Sequence, residues 1–174
     1  MNKQISSKEL VRRCARGGII AAVYAVLTVV LQPLSFGAVQ FRISEAMCVL
    51  PVFFPEAVLG LFIGCIISNF FSPNVVILDV VFGSLATLIA AAITRKIKIK
   101  WLVPLPCVIS NALIVGPVIA YSMTSGIGTS EFAIACLYNM LSVGFGELVV
   151  CYAAGIPLML FFERLVKKYP ELLC

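Results

Sequence analysis

Charged residues make up only 12% of the sequence, and a few of them stand inside apolar stretches. An ionisable group is costly there unless it meets a partner, an ion or a ligand. The densest such stretch, residues 40–64, reads QFRISEAMCVLPVFFPEAVLGLFIG and holds Arg42, Glu45 and Glu56 between the breakers Pro51 and Pro55. Arg42 and Glu45 are three apart, so a helix puts them on one face within pairing distance. That spacing serves a simple interfacial ion pair and a ligand site equally well. Further along come Asp79 and Glu147, and the amides Asn69, Asn111 and Asn139. Carboxylates accept hydrogen bonds, two at a time from adjacent N–H groups, and amides both donate and accept. The chemistry such a set offers is recognition of a polar ligand.

Bond-breaking chemistry finds little support. The chain has no histidine, which excludes HExxH metalloprotease sites, histidine triads and imidazole relays. Its seven cysteines (14, 48, 65, 107, 136, 151 and 174) form no CxxC pair and lie mostly in apolar runs, where an inert buried thiol is the expectation. No cofactor motif and no metal-ligand cluster is legible. There is no GxxxxGK[ST] loop, so nucleotide hydrolysis by that route has to come from a partner.

The elements that position these residues must be membrane helices. The sequence is 61% hydrophobic with a mean hydropathy of +1.09, against about 45–50% apolar residues in soluble domains. One integral membrane domain over 1–174 is expected: a basic N-terminal segment 1–16 along the cytoplasmic surface, a helical bundle 17–165 and a cytoplasmic tail 166–174. The basic residues gather before Gly17, at Arg95, Lys96, Lys98 and Lys100, and at Arg164, Lys167 and Lys168, with Arg42 alone elsewhere. Positive residues flanking membrane segments stay in the cytoplasm, so both termini and the 95–100 loop belong on that side, and the charge does not read as a nucleic-acid patch.

Spans are expected at 18–34, 75–93, 101–121 and 138–162. Between the first two, the breakers leave a short helix at 43–52 and another at 56–71. The short one is below the ~20 residues a bilayer demands, so parity alone permits six crossings, or four with a re-entrant hairpin. On this layout Arg42, Glu45, Asn69, Asp79 and Asn139 fall in the outer half, Asn111 and Glu147 near the midplane, and Glu56 on the inner side. Convergence in the outer half implies a pocket that opens outward beneath a 32–41 loop. Asp79 serves equally as a helix cap, and Gly60 and Gly64 form a GxxxG that packs helices. Small residues also line the first helix, where Ala21 and Ala25 give an AxxxA surface.

FRISEAMCVLPVFFPEAVLGLFIGCIISN, LDVVFGSLATLIAA, NALIVGP and FGELVV together resemble the queuosine-precursor transporter family, substrate-binding S components of energy-coupling factor (ECF) importers, over about residues 15–165. The resemblance implies an all-α bundle of six transmembrane helices with both termini cytoplasmic, in the bacterial plasma membrane. It implies no enzymatic activity and no cofactor. It also implies a 7-deazaguanine substrate such as queuine or a preQ-type base, and docking on a module of one membrane coupling subunit and two ATPases through Ala21 and Ala25. Glu45, Asp79 and Glu147 are the acceptors available to a guanine-like edge or a cationic aminomethyl arm, and Asn111 or Asn139 suits the ring amide. A stand-alone ion- or proton-coupled permease, with the carboxylates carrying the ion, is the alternative.

Overall fold

The computed structural model describes residues 6–35, 40–72, 77–124 and 127–170. Residues 36–39 of the loop expected to cover the pocket, and Pro73 and Asn74 of the external turn, lie outside the described residues. The fold is all-α. Helix α1 (Ser7–Val30) leads through the turn Gln32–Ser35 to α2 (Ile43–Val52), α3 (Ala57–Phe70), α4 (Asp79–Thr94), α5 (Leu105–Met123) and α6 (Ser130–Lys168).

Three segments are long and apolar enough to cross a membrane: α1, Lys100–Met123, which extends α5 by a turn, and the 39-residue α6. The chain is a multi-pass membrane protein. Helices α2, α3 and α4 are shorter. Helix α1 starts at Ser7, with the Ser6 side chain accepting from the Glu9 amide, so the described basic residues Lys8, Arg12, Arg13 and Arg16 stand on its first turns. Helix α6 likewise begins eight residues before the expected 138 and runs to Lys168. Hydropathy marks the apolar middle of a helix, whereas the backbone ladder continues into polar ends.

Helix α2 is a ten-residue 3-10 helix whose residues Ser44 through Pro51 are all buried. Runs of 3-10 beyond three or four residues are uncommon. This one survives in the bundle centre, the setting in which irregular backbone is tolerated at membrane depth. Its three-residue period stacks Arg42, Glu45 and Cys48 along one edge.

Close backbone approach sets the surrounding frame. A Cβ at Gly64 would stand 2.7 Å from the Ala21 carbonyl oxygen, and one at Gly60 2.6 Å from that of Gly17, so α3 lies directly on α1. Gly116 of α5 meets the Met140 backbone of α6 in the same way, at 2.8 Å. Just before the start of α3, Arg16 pairs with Glu56 at 2.7 Å and its guanidinium lies 5.4 Å from the Phe54 ring centroid. Glu56 is therefore engaged at the helix ends and does not join the residues described next. Tyr24, Cys48, Leu61, Cys65, Ala90 and Cys107 stand in the main apolar cluster.

Candidate functional site

The polar residues that break the apolar pattern meet at the bundle centre, on the edge that α2 presents. Glu45 is fully buried and its carboxylate collects donors from four helices. Oε1 accepts from the Tyr24 hydroxyl of α1 and from Thr87 Oγ1 of α4 at 3.1 Å, and lies 3.7 Å from Arg42 Nη1. Oε2 accepts from Cys48 Sγ at 2.9 Å and from Cys107 Sγ of α5 at 3.1 Å. Arg42 Nη2 in turn donates to Asn69 Oδ1 of α3 at 2.7 Å. Asn69 Nδ2 donates to the backbone carbonyl of Asp79 at 3.1 Å. Thr28 and Ser44 share a hydroxyl contact of 2.6 Å just above.

Helix α6 adds the second carboxylate. Glu147 is 2% exposed, and its Oε2 is met by Cys151 Sγ at 3.6 Å and by Cys107 Sγ at 4.0 Å. Asn111 Nδ2 reaches Cys107 Sγ at 3.5 Å. Its Oδ1 is buried and has no hydrogen-bond partner among the described residues, which leaves an acceptor aimed into the interior. Glu45 and Glu147 thus stand against one guanidinium, so the interior holds an excess of negative charge when both carboxylates are ionised.

Arg42, Glu45 and Asn69 accordingly form one group, joined by an ion pair and a hydrogen bond, and Asn111 and Glu147 adjoin it through Cys107. Asp79 touches the group through its backbone; its carboxylate Oδ1 is buried without a hydrogen-bond partner among the described residues. Asn139 does not join. Its Nδ2 turns back to the Ala135 carbonyl of its own helix at 2.8 Å. Ala21 and Ala25 are buried, at 6% and 8% exposure, and Ala21 is spent against Gly64. The face that α1 leaves free is the one bearing Ile19, Val23, Val26 and Val30.

Five participants escaped the reading of the sequence: Tyr24, Cys48, Thr87, Cys107 and Cys151. The thiols are buried as expected but are not bystanders, since they supply most of the donors the two carboxylates have. Glu45, Cys48 and Cys107 bring their ligand atoms within 4.8 Å of one another, as do Cys107, Glu147 and Cys151. Thiols on this spacing suit a soft divalent ion as well as S–H donation.

Two π-helical turns flank the site, Asp79–Gly83 at the start of α4 and Cys151–Gly155 within α6. Such turns recur at functional positions. The second begins one turn after Glu147 and lets Gly155 approach Ala46 and Val49 of α2, with a Cβ there only 3.3 Å from Val49 Cγ1. A second segment of α6 thereby packs on the neighbouring Ala46–Val49 edge of α2.

Comparison with known proteins follows this geometry. The QueT transporter family matches residues 14–164. A stretch of 73 residues is 41% identical to the queuosine precursor transporter QueT of Lactococcus lactis subsp. cremoris (strain MG1363), covering 41% of this chain and 42% of that relative's length. No solved structure matches the chain. Because the family match runs from α1 to the last turns of α6, through every helix that feeds the buried network, the chain belongs to the QueT transporter family.

Proposed function

We propose that the chain is the substrate-binding membrane subunit of an ECF-type importer of a queuosine precursor, a 7-deazaguanine such as queuine or a preQ-type base. The observation that carries this reading is the presence in one interior of Glu147, buried with thiols as its hydrogen-bond donors among the described residues, and the open Asn111 carbonyl. Two buried carboxylates that share the single Arg42 guanidinium favour a cationic or multiply donating ligand. The aminomethyl arm of a preQ-type base is such a cation, and the guanine-like edge carries adjacent N–H donors. Glu147 takes the arm or the edge, Asn111 accepts from the ring, and Arg42 and Glu45, which already hold one another, form the wall behind them.

The remaining parts of the proposal concern layout and energy. Six crossings with both termini cytoplasmic fit the distribution of basic residues, with α2 to α4 as short elements completing the bundle. Transport draws on ATP through one coupling subunit and two ATPases, since the chain has no phosphate-binding loop of its own. For Ala21 and Ala25 to dock on that module, α1 must part from α3 at Gly64; the exposed face at Ile19, Val23 and Val26 needs no such movement.

Glu147→Gln tests the reading. It keeps the shape and removes the charge, and precursor affinity should fall about tenfold or more, as for a hydrogen bond to a buried charged group. Unchanged affinity removes Glu147 from the site. ATP-independent uptake by the purified chain in liposomes, driven by an ion gradient, would instead establish the stand-alone permease.

A further inference from the structure

Where α4 gives way to α5, the chain wraps Arg95, Lys96, Lys98 and Lys100 around a pocket of about 560 Å³ that is floored by Phe53, Val103 and Met159. Glu163 also lines it, but that carboxylate is taken by Lys100 at 2.7 Å and Lys167 at 3.2 Å. Arg95, Lys96 and Lys98 are exposed, and none of them forms an ion pair among the described residues. The pocket is therefore strongly positive.

A second, apolar groove adjoins it. Ile97 lines both, and from it a groove of about 230 Å³ runs between α4 and α5 past Ile93, Leu102, Leu105 and Ile109. Ile93, Leu102 and Ile109 stand open to the surroundings, which at this level of a membrane protein means lipid. Solvated loop charges obeying the positive-inside rule need neither a cavity nor an adjoining apolar channel. A cationic pocket at the membrane surface that opens into a lipid-facing groove matches a molecule with an anionic head and a hydrocarbon tail.

We propose that this two-part pocket binds one anionic phospholipid of the cytoplasmic leaflet, its headgroup phosphate held by Arg95, Lys96 and Lys98 and an acyl chain laid in the α4–α5 groove. Basic pockets between helices on the cytoplasmic side hold lipid headgroups for this reason, each nearby Lys or Arg adding to the attraction. Neither Glu45 nor Glu147 lines this pocket or its groove.

The chain carries its own probe. Trp101, its single tryptophan, is 68% exposed and lies in sequence between Lys100 of the pocket and Leu102 of the groove. With the full chain in bilayer vesicles, tryptophan fluorescence is titrated with brominated phosphatidylglycerol and, separately, with brominated phosphatidylcholine of the same acyl chains. Phosphatidylglycerol should quench with an apparent affinity at least about fivefold higher, the factor expected from one basic contact. The triple variant Arg95→Gln/Lys96→Gln/Lys98→Gln should lose that preference. Lys8→Gln/Arg12→Gln/Arg13→Gln, which removes the same charge from α1, should keep it.

Equal quenching by the two lipids overturns the proposal and leaves the basic loop as a surface for an acidic partner protein. Equal loss of preference in the α1 variant overturns it too, because general surface attraction then explains the result. Persistence of the phosphatidylglycerol preference in the Arg95→Gln/Lys96→Gln/Lys98→Gln variant likewise rejects it.

Discussion

Glu45→Gln puts the buried network to its hardest test. The substitution keeps the side-chain volume and removes the charge facing Arg42 Nη1 at 3.7 Å. Two unit charges at about that separation attract by ~4 kcal/mol at an effective dielectric of ~20. Removing one member of a buried pair costs about 3–5 kcal/mol, because the other is left uncompensated. Arg42 is 6% exposed and retains its bond to Asn69, which argues for the lower end. The amide adds a second conflict. One of its two ends is now a donor, and both carboxylate oxygens of Glu45 accept from donors.

A loss of about 3 kcal/mol is a large share of the ~5–15 kcal/mol that holds a domain folded, and it lowers the melting temperature by roughly 10 °C for a chain of this size. A thiol-reactive fluorophore during heating reads it, since Cys48, Cys65, Cys107 and Cys151 are buried. The exposed Cys14 is first changed to serine in the parent. Arg42→Gln/Glu45→Gln should be less destabilised than the sum of its two single variants, by about 0.5–3 kcal/mol, because it strands no charge. Melting of Glu45→Gln at the parent temperature, or strict additivity in the double variant, would refute the reasoning.

Other outcomes follow from the same geometry. Gly64→Leu should cost about 1–3 kcal/mol by overpacking, since even a Cβ meets Ala21 O at 2.7 Å. Gly18→Ala, with nothing within 4 Å of the new methyl, should stabilise α1 by up to ~1 kcal/mol; both are read as melting shifts. Asn111→Leu removes a buried acceptor that has no partner among the described residues. It should leave the melting temperature unchanged or raised while precursor affinity, followed by titration, falls about tenfold; undiminished affinity would take Asn111 out of the site.

Much of the centre was legible because charge in an apolar setting is conspicuous. The stretch around Arg42 and Glu45 was expected to be a short helix at 43–52, and the breakers bound it there. Its 3-10 winding makes the three-residue spacing a true stacking. Asn69, Asn111 and Glu147 were flagged by type and depth alone. Depth carries no information about direction around a helix, however, which is why Asn139 shared the forecast and yet bonds to Ala135.

Tyr24 and Thr87 were missed because both residue types sit comfortably in apolar helices and stand out only when a partner is seen. The cysteines were missed for the opposite reason: burial was expected, and burial beside a carboxylate turns a small hydrophobe into a donor. The π turns at 79–83 and 151–155 leave no residue signature. The small pair Ala21 and Ala25 marks close approach faithfully, but a sequence does not say whether the approaching helix belongs to the same chain.

The central claim, that this interior binds a 7-deazaguanine, is tested most directly by ligand binding to the purified chain. Native mass spectrometry and thermal shift would compare queuine and its aminomethyl and nitrile precursors with guanine and unrelated vitamins. The account predicts selective binding of a deazaguanine with no ATP or partner present, strongest for the aminomethyl base if Glu147 meets its cation. Folded protein that binds none of them would contradict it.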